Sequence, residues 1–193
     1  GDYGLWLITT QILGYLALLD LGVVALAPRE TAYATGRVIS SGHDEVGATF
    51  ARFRHVVRWQ LLPTAAVCLL AWWLVVARWP ELRAPLTLIL AAFLIAFPLR
   101  LYHATLQGLQ DLAYLGKVQL AAYLAGALTT VALVLAGGNL MALAIGWIVT
   151  QAITASGCAW RLRSSHPGVW TTQAPAPRLA ETGARPLASQ LLP

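Results

Sequence analysis

Charge is what this sequence has least of. Only 11% of its 193 residues are Asp, Glu, Lys or Arg, against about 25% in a typical soluble domain. Hydrophobic residues make up 58%, and the mean hydropathy is +0.65. That balance excludes an ordinary water-soluble core and points to an integral membrane protein, for which lipid replaces water as the solvent. Lysine is nearly missing, since Lys117 stands beside twelve arginines. Cysteine is scarce too: Cys68 and Cys158 fall in different apolar blocks, which excludes a disulfide framework and leaves both as small packing residues.

Clusters of titratable groups are equally sparse. The four histidines, His43, His55, His103 and His166, are scattered without metal-ligand spacing. His43, Asp44 and Glu45 adjoin one another in a Gly/Ser-rich stretch that reads as a solvated turn. There is no DxxxD motif of the kind with which a membrane prenyltransferase holds diphosphate through magnesium. An enzyme is therefore not expected, and no metal or other cofactor is implied. A net charge of +5 could suggest nucleic acid in a soluble protein, but most of the arginines flank apolar blocks, where they act as topology determinants. No nucleic-acid partner follows from them.

What the sequence has in abundance is long apolar runs. Five blocks have the length to cross a bilayer, for which roughly 20 residues suffice: 5–27, 57–77, 86–109, 113–136 and 139–160. The expected fold is an all-α polytopic transmembrane bundle over residues 1–162, followed by an interfacial linker over 163–193 that is rich in Pro, Ser and Thr. The second block closes on Trp72, Trp73 and Trp79, indoles suited to a membrane–water interface. The third meets Pro98 and Arg100 and turns polar through LYHATLQGLQ, so its end can line an aqueous cavity. Gly137, Gly138 and Asn139 provide a tight turn that makes the fourth and fifth helices antiparallel neighbours. Ala142, Gly146 and Thr150, four apart, allow close helix approach in lipid.

The basic residues divide unevenly between the two ends of the bundle. Arg29, Arg37, Arg52, Arg54, Arg58, Arg100, Lys117, Arg161, Arg163, Arg178 and Arg185 fall on one side, eleven in all; Arg78 and Arg83 fall on the other. Positive-inside counting puts the first loop and the C-terminal tail in the cytoplasm. With five spans, Gly1 then lies outside. Together with the missing initial methionine, this leads to the expectation of a fragment preceded by an earlier span.

Asp20 is the sharpest single residue, because a carboxylate inside an apolar helix is costly. It is either an ion- or proton-responsive group facing a cavity or a helix-end residue held by a hydrogen-bond partner; its place about two turns before Pro28 favours the second. Gln11, Gln107, Gln119 and Gln151 add uncharged polar groups that can satisfy a neighbour or contact a sugar hydroxyl. Arg58 and Arg100 stand where apolar helix meets basic loop. They either snorkel or point into a lumen, where a guanidinium can hold a phosphate through paired hydrogen bonds.

Gly1, Tyr3, Gly4, Leu5 and Trp6, followed by Leu18, Leu19, Asp20, Leu21 and Gly22, resemble the second span of the polysaccharide-exporting flippases of the multidrug/oligosaccharidyl-lipid/polysaccharide exporter superfamily. Leu106, Gln107, Gly108 and Leu109 within RLYHATLQGLQDLAYLGKVQ are similar to that family's turn between its fourth and fifth spans. The resemblance covers about the first 160 residues. It implies a partial N-terminal lobe of a two-lobe transporter, lacking the first span and the second lobe. The implied setting is the bacterial inner membrane.

The implied cargo is an undecaprenyl-diphosphate-linked oligosaccharide flipped from inner to outer leaflet, with the bilayer, this lipid-linked oligosaccharide and proteins of polysaccharide synthesis and polymerisation as partners. Gln11, Asp20, Arg58, Arg100, Gln107, Gln119 and Gln151 are then the substrate-cavity candidates. Two other classes compete: a cation-coupled multidrug exporter of the same superfamily, which should bury acidic residues, and a non-transporting membrane scaffold, which needs no polar face. Convergence of Gln11, Asp20, Arg100, Gln119 and Gln151 on one side of the bundle would favour transport.

Overall fold

The computed structural model describes residues 7, 11, 14–15, 23–41 and 44–171. Among these the chain is all helical, with no strand. α1 (Val23–Ser41) is followed by the 35-residue α2 (Asp44–Arg78), a single 3₁₀ turn (Pro80–Leu82), α3 (Arg83–Ala96), α4 (Arg100–Gly108), α5 (Leu112–Leu135), α6 (Leu140–Ser165) and the short α7 (Gly168–Thr171). Three helices are long and apolar enough to cross a membrane: Glu45–Arg78, Leu112–Leu135 and Leu140–Ser165. A fourth candidate is the bent pair Pro80–Ala96 and Arg100–Gly108. These correspond to four of the five expected blocks. Most of the first block, with Asp20, lies outside the described residues.

The stretch expected as a basic loop, from Pro28 to Arg58, is mostly helix. α1 continues through Pro28 to Ser41, and α2 starts again at Asp44. At about 1.5 Å per residue α2 is roughly 52 Å long, well beyond the roughly 30 Å of a bilayer's hydrocarbon core. Its first turns, carrying Arg52, Arg54 and Arg58, therefore project past the apolar layer. Hydropathy locates what dissolves in lipid, and a helix that runs out into water is invisible to it. α1 runs beside this projecting part, with Ala27 and Ala34 packed into a cluster with Val46, Phe50, Leu101, Ala104 and Leu162. Gly108 of α4 lets α1 come close, since a Cβ there would collide with Thr31 and the Pro28 carbonyl.

A second cluster occupies the other half of the bundle. Val57, Cys68 and Val75 of α2 meet Leu86, Leu90, Phe93 and Phe97 of α3 and the turn after it, with Trp147 of α6 against them. Trp72 donates to the Thr87 hydroxyl at 2.7 Å, tying α2 to α3 near their shared turn. The outer faces are apolar: Leu69 is 68% exposed, Leu128 69% and Leu135 83%. In the most apolar stretch of α2 only 11% of residues are buried within the bundle. Leucines turned outward over so much of the surface suit hydrocarbon rather than water.

α5 and α6 pack most intimately. Ala122, Gly126 and Thr130 on α5 meet Ala142, Gly146 and Thr150 on α6. A Cβ on Gly126 would strike Thr150 and the Gly146 carbonyl, and one on Gly146 would strike Thr130 and the Gly126 carbonyl. The reciprocity shows two backbones touching through their glycines, as the four-residue spacing on α6 anticipated. Thr150 also donates across the interface to the Ala122 carbonyl at 3.3 Å.

The turns at the two ends of α5 are built alike. After α5, Gly137 takes φ +86°, with Gly137 N–H donating to the Val134 carbonyl and Gly138 N–H to the Leu133 carbonyl. This is a Schellman closure, which needs a left-handed residue just past the helix. After α4 the same pair of bonds runs from Gln110 to Gln107 and from Asp111 to Leu106. There the left-handed residue is Gln110, at φ 63°.

Candidate functional site

The span formed by α3 and α4 is broken. Its halves meet at 43° across Phe97, Pro98 and Leu99, where Pro98 cannot donate a backbone hydrogen bond and the chain makes turns instead, Leu99 N–H to Ala96 and Arg100 N–H to Phe97. The bend opens a cavity of about 240 Å³ lined by Ala96, Leu99, Arg100 and His103 from this broken span, Gln119 and Tyr123 from α5, and Thr150, Gln151, Thr154 and Ala155 from α6.

Arg100 and His103, three apart, share a face of α4, and His103 is hydrogen-bonded through Nε2 to the Gln119 amide at 2.9 Å. That contact holds Gln119 against the cavity wall. Thr154 donates to the Thr150 carbonyl, and the single Thr150 proton is shared between the Gly146 carbonyl of α6 and the Ala122 carbonyl of α5. Arg100 stands in the first turn of α4, where the positive end of the helix dipole disfavours a cation. The Arg100 guanidinium makes this corner attractive to an anion. Chemically, the cavity offers one cation, an imidazole, two amides, a phenol and two hydroxyls, a set that can hold phosphate oxygens and sugar hydroxyls.

Three of the sequence candidates, Arg100, Gln119 and Gln151, are brought together here. Gln107 lies exposed one turn beyond the cavity on α4, and Arg58 is exposed on α2, which contributes no wall to it. Gln11 is helical and exposed; Asp20 lies outside the described residues. Thr150 was read from the sequence only as a packing residue and His103 only as one of four scattered histidines, while Tyr123 and Thr154 were not singled out. The signal that could have found His103 is its spacing from Arg100, rather than any metal-ligand pattern.

About 10–12 Å along the bundle, at roughly 1.5 Å per residue, a second polar group closes this end. Arg161 Nε donates to Asp111 Oδ2 at 2.7 Å, its guanidinium lies 5.0 Å from the centre of the Tyr114 ring, and the Tyr114 hydroxyl donates to the Gly157 carbonyl at 3.0 Å. His166 follows α6. Burial, reinforced by the Arg161 charge, holds its imidazole below the usual histidine range, while Asp111 opposes this. Among the described residues no group of three or more His, Cys, Asp or Glu is placed to hold a metal ion.

Fold and cavity together define an α-helical protein of the membrane-spanning class. Comparison with protein-family models, with curated proteins and with solved structures finds no match.

Proposed function

We propose that the chain forms the substrate-bearing helical bundle of a flippase that moves an undecaprenyl-diphosphate-linked oligosaccharide from the inner to the outer leaflet for polysaccharide export. The observation that carries this reading is the convergence of Arg100, Gln119 and Gln151, with His103, on one cavity beside a broken span. Discontinuous helices next to a binding site are a recurring feature of transporters that alternate access between two sides. A diphosphate and its sugars cannot cross hydrocarbon without losing their hydration. Here Arg100 takes the diphosphate, and Gln119, Gln151 and the hydroxyls on α6 replace water around the sugar. A cation-coupled drug exporter would have Asp20 as its one acidic candidate within an apolar block, which ranks that reading lower, and a scaffold would have no use for a polar cavity. The basic end of the bundle faces the cytoplasm of a bacterial inner membrane, where such a substrate is assembled. Proteins of polysaccharide synthesis and polymerisation are the partners this reading implies.

The test is complementation in a strain lacking the exporter. Arg100→Ala in the full-length protein should reduce polysaccharide export severalfold at unchanged protein level. Export equal to wild type would overturn the assignment.

A further inference from the structure

Trp59 and Trp79 bracket the part of α2 that crosses the apolar layer. The length of helix between them is about 30 Å at roughly 1.5 Å per residue, the thickness of a bilayer's hydrocarbon core, and indoles settle at the two boundaries of that core. Immediately outward of Trp59 on α2 lie Arg58, His55 and Arg54. Arg58 falls at the boundary plane. Arg54 lies one turn further out, about 6 Å along the axis, inside the roughly 5–7 Å that headgroups add to each leaflet. Arg58 and His55 are exposed and Arg54 is half-buried. The four-residue spacing of Arg54, Arg58 and Leu62 stacks them on one face, which Leu69 and Trp73 continue inward, all three of these apolar side chains being exposed.

The headgroup end of this face is ordered. Trp59 Nε1 donates to His55 Nε2 at 3.0 Å; an indole can only donate, so the imidazole proton sits on Nδ1 and the ring remains a donor. α2 has no Asp or Glu after Glu45, and among the described residues neither Arg54 nor Arg58 is in an ion pair.

We infer that this face of α2 binds an anionic phospholipid of the surrounding leaflet, its phosphate held by Arg54 and Arg58 and its acyl chains laid along Leu62, Leu69 and Trp73. The inference needs only that the bundle spans a membrane and is independent of the flippase reading. Depth and charge together select the occupant. The cations lie at the level of lipid phosphates and the leucines inward of them at the level of acyl chains, so a matching molecule is anionic at one depth and hydrocarbon at the next. A zwitterionic lipid has the chains but brings a cation of its own to the arginines. An acidic segment in water would match the arginines and leave the leucines uncovered.

The test titrates the complete chain, purified in dodecyl maltoside, with dioleoylphosphatidylglycerol and with dioleoylphosphatidylcholine, and reads lipid affinity by native mass spectrometry. Wild type should bind the glycerol lipid about tenfold or more tighter, since each arginine near an anionic headgroup contributes about fivefold. Arg54→Gln/Arg58→Gln should erase the preference, whereas Arg78→Gln/Arg83→Gln, at the other end of the bundle, should keep it. Arg58→Gln alone, at an exposed position, should lose about fivefold and serves if the double variant fails to fold. Equal affinity of wild type for the two lipids would overturn the inference, as would a preference that survives in the Arg54/Arg58 variants. So would an equal loss in the Arg78/Arg83 variant, which would show attraction to net charge alone. Any of these results would leave the arginine face to an acidic protein segment.

Discussion

Arg161 and Asp111, fifty positions apart in sequence, form an ion pair of 2.7 Å that joins the last turns of α6 to the start of α5. The pair is partly open to solvent, with Arg161 37% and Asp111 19% exposed at the side chain, so its Coulomb energy is screened and its contribution is of the order of 1 kcal/mol or less. Arg161 does a second job by covering the Tyr114 ring, an interaction worth roughly 0.5–1 kcal/mol at such sites. Arg161→Ala should therefore destabilise more than Asp111→Asn. A double-mutant cycle read by thermal unfolding in detergent should give a coupling of up to about 1 kcal/mol. Equal costs for the two single variants would show that the ring contact contributes nothing.

Gly126 and Gly146 make a sharper prediction. A side chain at either position meets backbone, which cannot step aside. Gly126→Val or Gly146→Val should force α5 and α6 apart and cost about 1–3 kcal/mol or more, lowering the unfolding midpoint well below wild type. Gly116 on the same helix α5 has nothing within 4 Å of its Cβ direction. Gly116→Ala should be neutral or stabilise by up to about 1 kcal/mol, which separates a packing requirement from a general intolerance of larger residues.

The two helix-ending turns allow a matched pair of substitutions. Gln110 sits at φ 63° and Gly137 at φ 86°, where a side chain costs roughly 1 kcal/mol. Gln110→Gly should raise stability by about that amount, and Gly137→Ala should lower it similarly. Gln110 is exposed, so its side chain offers little to offset the backbone gain. A loss of stability in Gln110→Gly would contradict the assigned turn.

Much of the bundle could be read directly from residue pattern. Gly137–Gly138–Asn139 between two uncharged blocks left no route but an antiparallel pair, and small residues four apart on α6 pointed to its contact face. Arg100, Gln119 and Gln151 were legible as polar groups in otherwise apolar helices, where a polar group demands a partner or a function. The 28–58 segment was misread because an amphipathic helix in water carries as many arginines as a loop, and Pro28 looked like an end although α1 continues through it. Gln107 lies on the row of Arg100 and His103, yet where the cavity stops depends on the bend after Phe97, a tertiary fact.

His166 gives the chain a pH-sensitive corner. Its folded-state pKa lies below the ordinary histidine value of 6.5, chiefly through burial and then through Arg161. The folded state therefore binds the proton less readily than the unfolded chain, and the stabilisation present at neutral pH is lost as pH falls below about 6.5. His166→Gln should flatten the stability profile between about pH 7.5 and 5.5 relative to wild type, measured as the shift in unfolding midpoint. An unchanged slope would mean that the proton is bound elsewhere.

Orientation in the membrane can be tested on the natural background, because both cysteines are buried, Cys68 at 2% and Cys158 fully. Helix order gathers Arg52, Arg54, Lys117, Arg161 and Arg163 at one end and leaves Arg78 and Arg83 at the other. An excess of arginine and lysine marks the cytoplasmic side. A single cysteine at Asn139, in the turn between α5 and α6, should react with a membrane-impermeant maleimide in intact cells. One at Ser164, exposed in the last turn of α6, should react only after permeabilisation. The opposite pattern would invert the bundle. It would then place Arg100 on the outer-leaflet side of the broken span and contradict the proposal that Arg100 takes its substrate from the cytoplasmic leaflet.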